Sequence, residues 1–84
     1  MLKFFREYLE EIKPLNMSDE ELLNYRYLDN HLDSFGIMQF IIAVEEEFGI
    51  TLDPQDTESE EFRTIGGVIE IIKRKKWNTQ NKIL

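Results

Sequence analysis

The run Gly36-Ile37-Met38-Gln39-Phe40-Ile41-Ile42-Ala43-Val44, closed by Glu45-Glu46-Glu47-Phe48-Gly49, restricts the fold more than any other stretch of the chain. Ile37, Phe40, Ile41, Val44 and Phe48 recur at helical spacing, and Met38, Ile42 and Ala43 widen the stripe to well over half the circumference. A helix of this kind, expected over about Ser34 to Phe48, either packs on two sides or offers apolar surface to another molecule. Gly49 suits its C-terminal cap. Asp33-Ser34 open it. A hydroxyl at a helix start sits among unpaired N–H groups and partial positive charge, a favourable place for a phosphate. An ordinary N-cap serine is the competing reading of Ser34.

The remaining periodicity is also helical. Leu2, Phe5, Leu9 and Ile12 form the apolar face of a first helix, flanked by Phe4 and Tyr8, and Pro14 ends it near Ile12 or Lys13. A long connection follows to Leu32. Within it, Ser18-Asp19-Glu20-Glu21 has capping-box spacing for a turn or two through Leu22 and Leu23. Tyr25, Tyr27 and Leu28 are expected to pin the loop, and Asn30 suits a tight left-handed turn. Ile50 and Leu52 read as core anchors. Asp53-Pro54 reads as the start of a short acidic helix reaching about Glu58. Ser59-Glu60-Glu61 reads as loop, with Phe62 inward. Thr64 caps a last helix carrying Ile65, Val68, Ile69 and Ile72. The β-branched run 68–72 also suits a strand, but nothing else in the chain offers it a partner. Gly66 and Gly67 weaken that helix by roughly 1 kcal/mol each relative to Ala, which fits a close approach by another helix or a bound chain. Lys73-Arg74-Lys75-Lys76 suit its C-terminal end, and Trp77 is expected to close the core. The expectation is an all-α bundle of three main helices plus one short helix, with a long first loop. It forms a single domain over 1–84, ordered over about 2–77, with a flexible tail over 78–84.

Composition narrows the function classes. At 84 residues, folding buries only roughly 60% of the unfolded surface. Cysteine is absent, so any thiol chemistry has to come from an added group, and a reducing compartment fits. No apolar run approaches the roughly 20 residues of a membrane span. The start meets acids too early for a signal peptide, so a cytoplasmic protein without membrane insertion is expected. Between Pro14 and Phe62 thirteen acids face one base, Arg26, a net −12, while the two ends carry +5. Such a middle repels nucleic acid and attracts basic protein surfaces. An enzyme lacks parts: there is one histidine, no glycine-rich phosphate loop and little room for a cleft. A calcium loop over Asp29, His31 and Asp33 fails, because Ser34 stands at the turn glycine and Phe40 at the bidentate glutamate. Metal and catalytic residues are therefore expected to be absent.

Leu32-Asp33-Ser34-Phe35, the helix ending Val44-Glu45-Glu46-Glu47-Phe48-Gly49-Ile50, then Leu52-Asp53-Pro54 and Phe62-Arg63-Thr64-Ile65 together resemble the acyl carrier protein family over about residues 2 to 76. The resemblance implies a non-catalytic, stand-alone carrier. Ser34 would hold covalent 4′-phosphopantetheine, attached by a phosphopantetheinyl transferase from coenzyme A. The terminal thiol of the arm would hold an acyl or aminoacyl group as a thioester. Asp33 would cap the helix and pair with a basic transferase residue. Phe35, Ile37, Met38, Glu45, Glu46 and Glu47 would face acyl-loading and acyl-transferring enzymes, and the chain would work as a monomer. Fatty-acid, polyketide or nonribosomal peptide synthesis would be its setting. Phe35 replaces the usual Leu, Gly36 and Gln39 replace acids common in the family, and Gln55 to Glu61 runs slightly long. His31-Leu32-Asp33-Ser34-Phe35 is closer to D-alanyl and peptide-synthetase carriers, which points to a specialised member. His31 reads as a solvated loop residue or as a contact of the arm. A small acidic helical docking module without a prosthetic group is the rival reading.

Overall fold

The computed structural model describes residues 1–82, with side chains described as far as Lys76. In chain order the helices are α1 (Leu2–Ile12), α2 (Asp19–Leu23), α3 (Tyr27–Asn30), α4 (Ser34–Phe48), α5 (Pro54–Thr57), a 3₁₀ turn (Glu60–Arg63) and α6 (Ile65–Lys82). Among the described residues there is no strand, so the all-α expectation holds. Helical backbone continues through Asn78 to Lys82, where the sequence reading put a flexible tail. Residues 83 and 84, and the side chain of Trp77 expected to close the core, lie outside the described residues.

Local chemistry explains most boundaries. Ser18 Oγ accepts from the Glu21 amide, and Glu21 accepts from the Ser18 amide at 3.0 Å, so the capping box starts α2. Gly49 ends α4 at φ 65°, a left-handed conformation that a Cβ disfavours. The Asp56 carboxylate accepts from the Asp53 amide at 2.8 Å across the first turn of α5. Thr64 Oγ1 accepts from the Gly67 amide at the start of α6.

Two expectations about the connections are corrected. The long loop holds a second short helix, α3, and Asn30 lies within it rather than in a left-handed turn. Tyr27 drives this: its ring is fully buried, 4.8 Å from Phe40, and its hydroxyl donates to the Phe62 carbonyl. Glu60 and Glu61 belong to the 3₁₀ turn that swings Phe62 inward, not to an open loop.

The core joins Phe5 and Leu9 of α1, Leu22 of α2, Phe40 and Val44 of α4, Phe62, and Ile65, Val68, Ile71 and Ile72 of α6. The glycine pair in α6 allows its close approach. A Cβ at Gly67 would fall 1.8 Å from the Glu61 carbonyl oxygen, and one at Gly66 would fall 2.8 Å from that of Leu23. The basic stretch of α6 then ties down the acidic segment beside it. Lys75 bonds Asp53 at 3.3 Å and Asp56 at 2.7 Å, Arg74 pairs with Glu61, and Lys76 donates to the Phe48 carbonyl at 3.1 Å. Ile12 departs from expectation: it shares the spacing of Leu2, Phe5 and Leu9, yet its side chain is 48% exposed, because α1 ends there and runs past the core.

Candidate functional site

Asp33 is the residue that caps α4. Its backbone is extended (φ −93°, ψ −178°), its carbonyl accepts from the Ile37 amide, and its Oδ1 accepts from the Gly36 amide at 2.7 Å. Ser34 therefore occupies the first helical position, and its hydroxyl is not spent on capping. The side chain is exposed and has no hydrogen-bond partner among the described residues. The Ser34 and Phe35 amides likewise have no acceptor there. An exposed hydroxyl beside two free amides, at the positive end of a helix spanning Ser34–Phe48, fits a phosphodiester.

A stripe of exposed apolar side chains runs along α4 from this point. Phe35, Met38 and Ile42 are 68%, 63% and 52% exposed, at i, i+3 and i+7. Glu46 and Glu47 are exposed near its far end and have no ion partner among the described residues. Two residues expected on this surface are placed differently. Ile37 is half-buried at the side of the stripe. Glu45 is half-buried too, and its Oε2 accepts from the Leu52 amide at 2.8 Å, which fastens the loop after α4. Ile42 was missed as a surface residue, although its spacing from Phe35 and Met38 could have found it.

His31 does not lie in solvent. It is 7% exposed. Its Nε2 lies 2.8 Å from the Leu9 carbonyl oxygen, which only accepts, so Nε2 carries the proton. The other ring nitrogen, Nδ1, is hydrogen-bonded to the Tyr25 hydroxyl over 2.9 Å. The histidine thus fastens the chain just before Asp33 to α1.

Asp19, Asp29, Asp53, Asp56 and Glu61 all sit in ion pairs with bases of the chain itself, so the acidic middle is less available than its sequence charge implies. Burial pushes the Asp56 carboxyl up, but hydrogen bonds from Lys75 and the Asp53 amide outweigh it and leave the group below its ordinary value. Glu61 is held below the ordinary range by its hydrogen bond from Arg74. No group of three or more histidines, cysteines or acids suited to a metal occurs among the described residues, and no helix there is long and apolar enough to cross a membrane.

No solved structure matches the chain significantly. A family profile described as the phosphopantetheine attachment site matches residues 15–72, well over half of the chain and inclusive of Asp33, Ser34 and the whole of α4.

Proposed function

The chain belongs to the phosphopantetheine-attachment family, carriers with a covalent 4′-phosphopantetheine that transferases install and partner enzymes use, and from that premise we propose that Ser34 is the attachment residue of an acyl or aminoacyl carrier. The observation that carries the reading is the free, exposed Ser34 hydroxyl at the start of α4, released from capping duty by Asp33. When attached, the group supplies the terminal thiol, absent from this cysteine-free sequence, that holds a cargo as a thioester.

The chain's own residues divide the remaining work. Asp33 fixes the first turn and keeps its carboxylate at the surface, where a basic transferase residue meets it. The Ser34 and Phe35 amides, which have no acceptor among the described residues, would hold a phosphodiester anion there, and the helix terminus favours that charge by about 0.3–1 kcal/mol at an exposed site. Phe35, Met38 and Ile42 give partner enzymes an apolar strip, and Glu46 and Glu47 give them charge, so basic docking surfaces fit best. The departures at Phe35 and Gly36 support a specialised carrier, nearer to D-alanyl or peptidyl carriers than to a housekeeping fatty-acid one. The reading is tested by incubating the chain with coenzyme A and a broad-specificity phosphopantetheinyl transferase, then weighing it. A gain of one phosphopantetheine that Ser34→Ala abolishes is expected. An unchanged mass would leave an acidic docking module without a prosthetic group.

A further inference from the structure

We propose that a groove beside Ser34, on the α1 side of α4, holds the first segment of the prosthetic arm against the protein. The inference rests on Ser34 being the attachment residue. The groove encloses about 250 Å³ between the end of α1 and the first turns of α4. Ile12, Leu32 and Phe35 line it with apolar surface, Gln39 adds an amide, and His31 and the Asp33 carboxylate border it as well.

Three observations converge on it. Ile12 has the spacing of a core residue but lines the groove with an exposed side chain. Leaving a large apolar group there without a partner forgoes stabilisation, unless something covers it. Gly36 keeps the floor open: a Cβ would fall 3.1 Å from Asp33 Oδ1 and 3.6 Å from the Leu32 side chain. The tether is the third. Asp33 and Phe35 both line the groove, and Ser34, between them in the chain, does not line it itself, so a chain esterified at Ser34 Oγ starts one residue from the groove and reaches it by turning over Phe35.

The chemistry of the arm matches this lining. One methylene beyond its phosphate the arm carries a quaternary carbon with two methyl groups, then a hydroxyl and an amide. The dimethyl segment suits Ile12, Leu32 and Phe35. The amide suits Gln39, whose side chain both donates and accepts. The volume lies below the roughly 300 Å³ at which small-molecule pockets usually begin, which fits a slender chain rather than a long acyl cargo. Phe35 belongs both to the groove and to the exposed stripe of α4, so an enzyme that covers Phe35 competes with the arm for it.

The test uses the intact chain, isotope-labelled, converted to the holo form and weighed before any spectrum is taken. Nuclear Overhauser contacts should connect the dimethyl protons of the arm to the Ile12 methyls and the Phe35 ring. Amide shifts should change at Ile12 and Gln39 as well as around Ser34. Ile12→Ala and Gln39→Ala, both at exposed positions and checked for an unchanged fold, should gain the same mass and lose those contacts. A holo chain whose shift changes stay within residues 33–37, without contacts to Ile12, overturns the groove and leaves Ser34 as the attachment residue. Contacts from a loaded acyl chain instead of the dimethyl group also overturn it. No mass gain refutes the attachment itself, and the groove proposal with it.

Discussion

At the scale of single residues, the site depends on which of two neighbours caps α4. Asp33 does, and Ser34 is left free. The cap and the charge of Asp33 are separable. Asp33→Ala should cost about 0.5–2 kcal/mol through the lost cap. Asp33→Asn keeps a capping oxygen and should leave thermal stability nearly unchanged. If the carboxylate meets a basic transferase residue, both variants slow modification, and equal rates for Asp33→Asn and the parent chain would exclude that role. Two glycines make a second pair of contrasts. Gly49→Ala meets no neighbour and costs only its left-handed backbone, about 1–2 kcal/mol, or several degrees in thermal midpoint. Gly67→Ala drives a Cβ into backbone at Glu61 and should cost well beyond that, leaving little folded protein by circular dichroism. The start of α4 was legible in the sequence because its signal is local, an acid and a small hydroxyl before an apolar run. The place of His31 was not. Its burial depends on Tyr25 and on the Leu9 carbonyl of another helix, and nothing adjacent in sequence announces either.

At the scale of elements, α4 presents two kinds of acid. Glu46 and Glu47 are free at the surface, whereas Glu45 holds the Leu52 amide. Glu46→Lys and Glu47→Lys should slow transfer to a cognate enzyme while the melting curve stays put. Glu45→Lys should also lower the melting temperature, because it removes the acceptor of a half-buried amide. A Glu45→Lys melt identical to that of Glu46→Lys would contradict this division. The three long helices were readable from periodicity, since each shows its apolar face over several turns. The short α3 and the 3₁₀ turn were not, because at four residues each they depend on tertiary contacts of Tyr27 and Phe62 rather than on a pattern of their own. Ile12 illustrates a related gap: periodicity assigns it to a face, but where the helix ends relative to the core decides its burial.

At the scale of the whole molecule, the charge asymmetry of the sequence becomes a clamp. Lys75 and Arg74 of α6 hold α5 and the 3₁₀ turn through Asp56 and Glu61, whose carboxyls lie below their ordinary values when folded. The unfolded chain therefore binds more protons than the folded one as pH falls through the ordinary carboxylate range. Stability from these pairs is complete above that range and is lost as pH drops toward the depressed folded values. Denaturant midpoints should fall on acidification in that window, and by less in Lys75→Met, which lacks one clamp. Glu46 and Glu47 of α4 take no part in the clamp and stay exposed near the end of the apolar stripe that starts beside Ser34. Whether Ser34 carries the prosthetic group is decided by intact mass after treatment with coenzyme A and a phosphopantetheinyl transferase. A gain of one phosphopantetheine is expected in the parent chain and none in Ser34→Ala. An unchanged parent mass, or an equal gain in Ser34→Ala, would contradict that assignment.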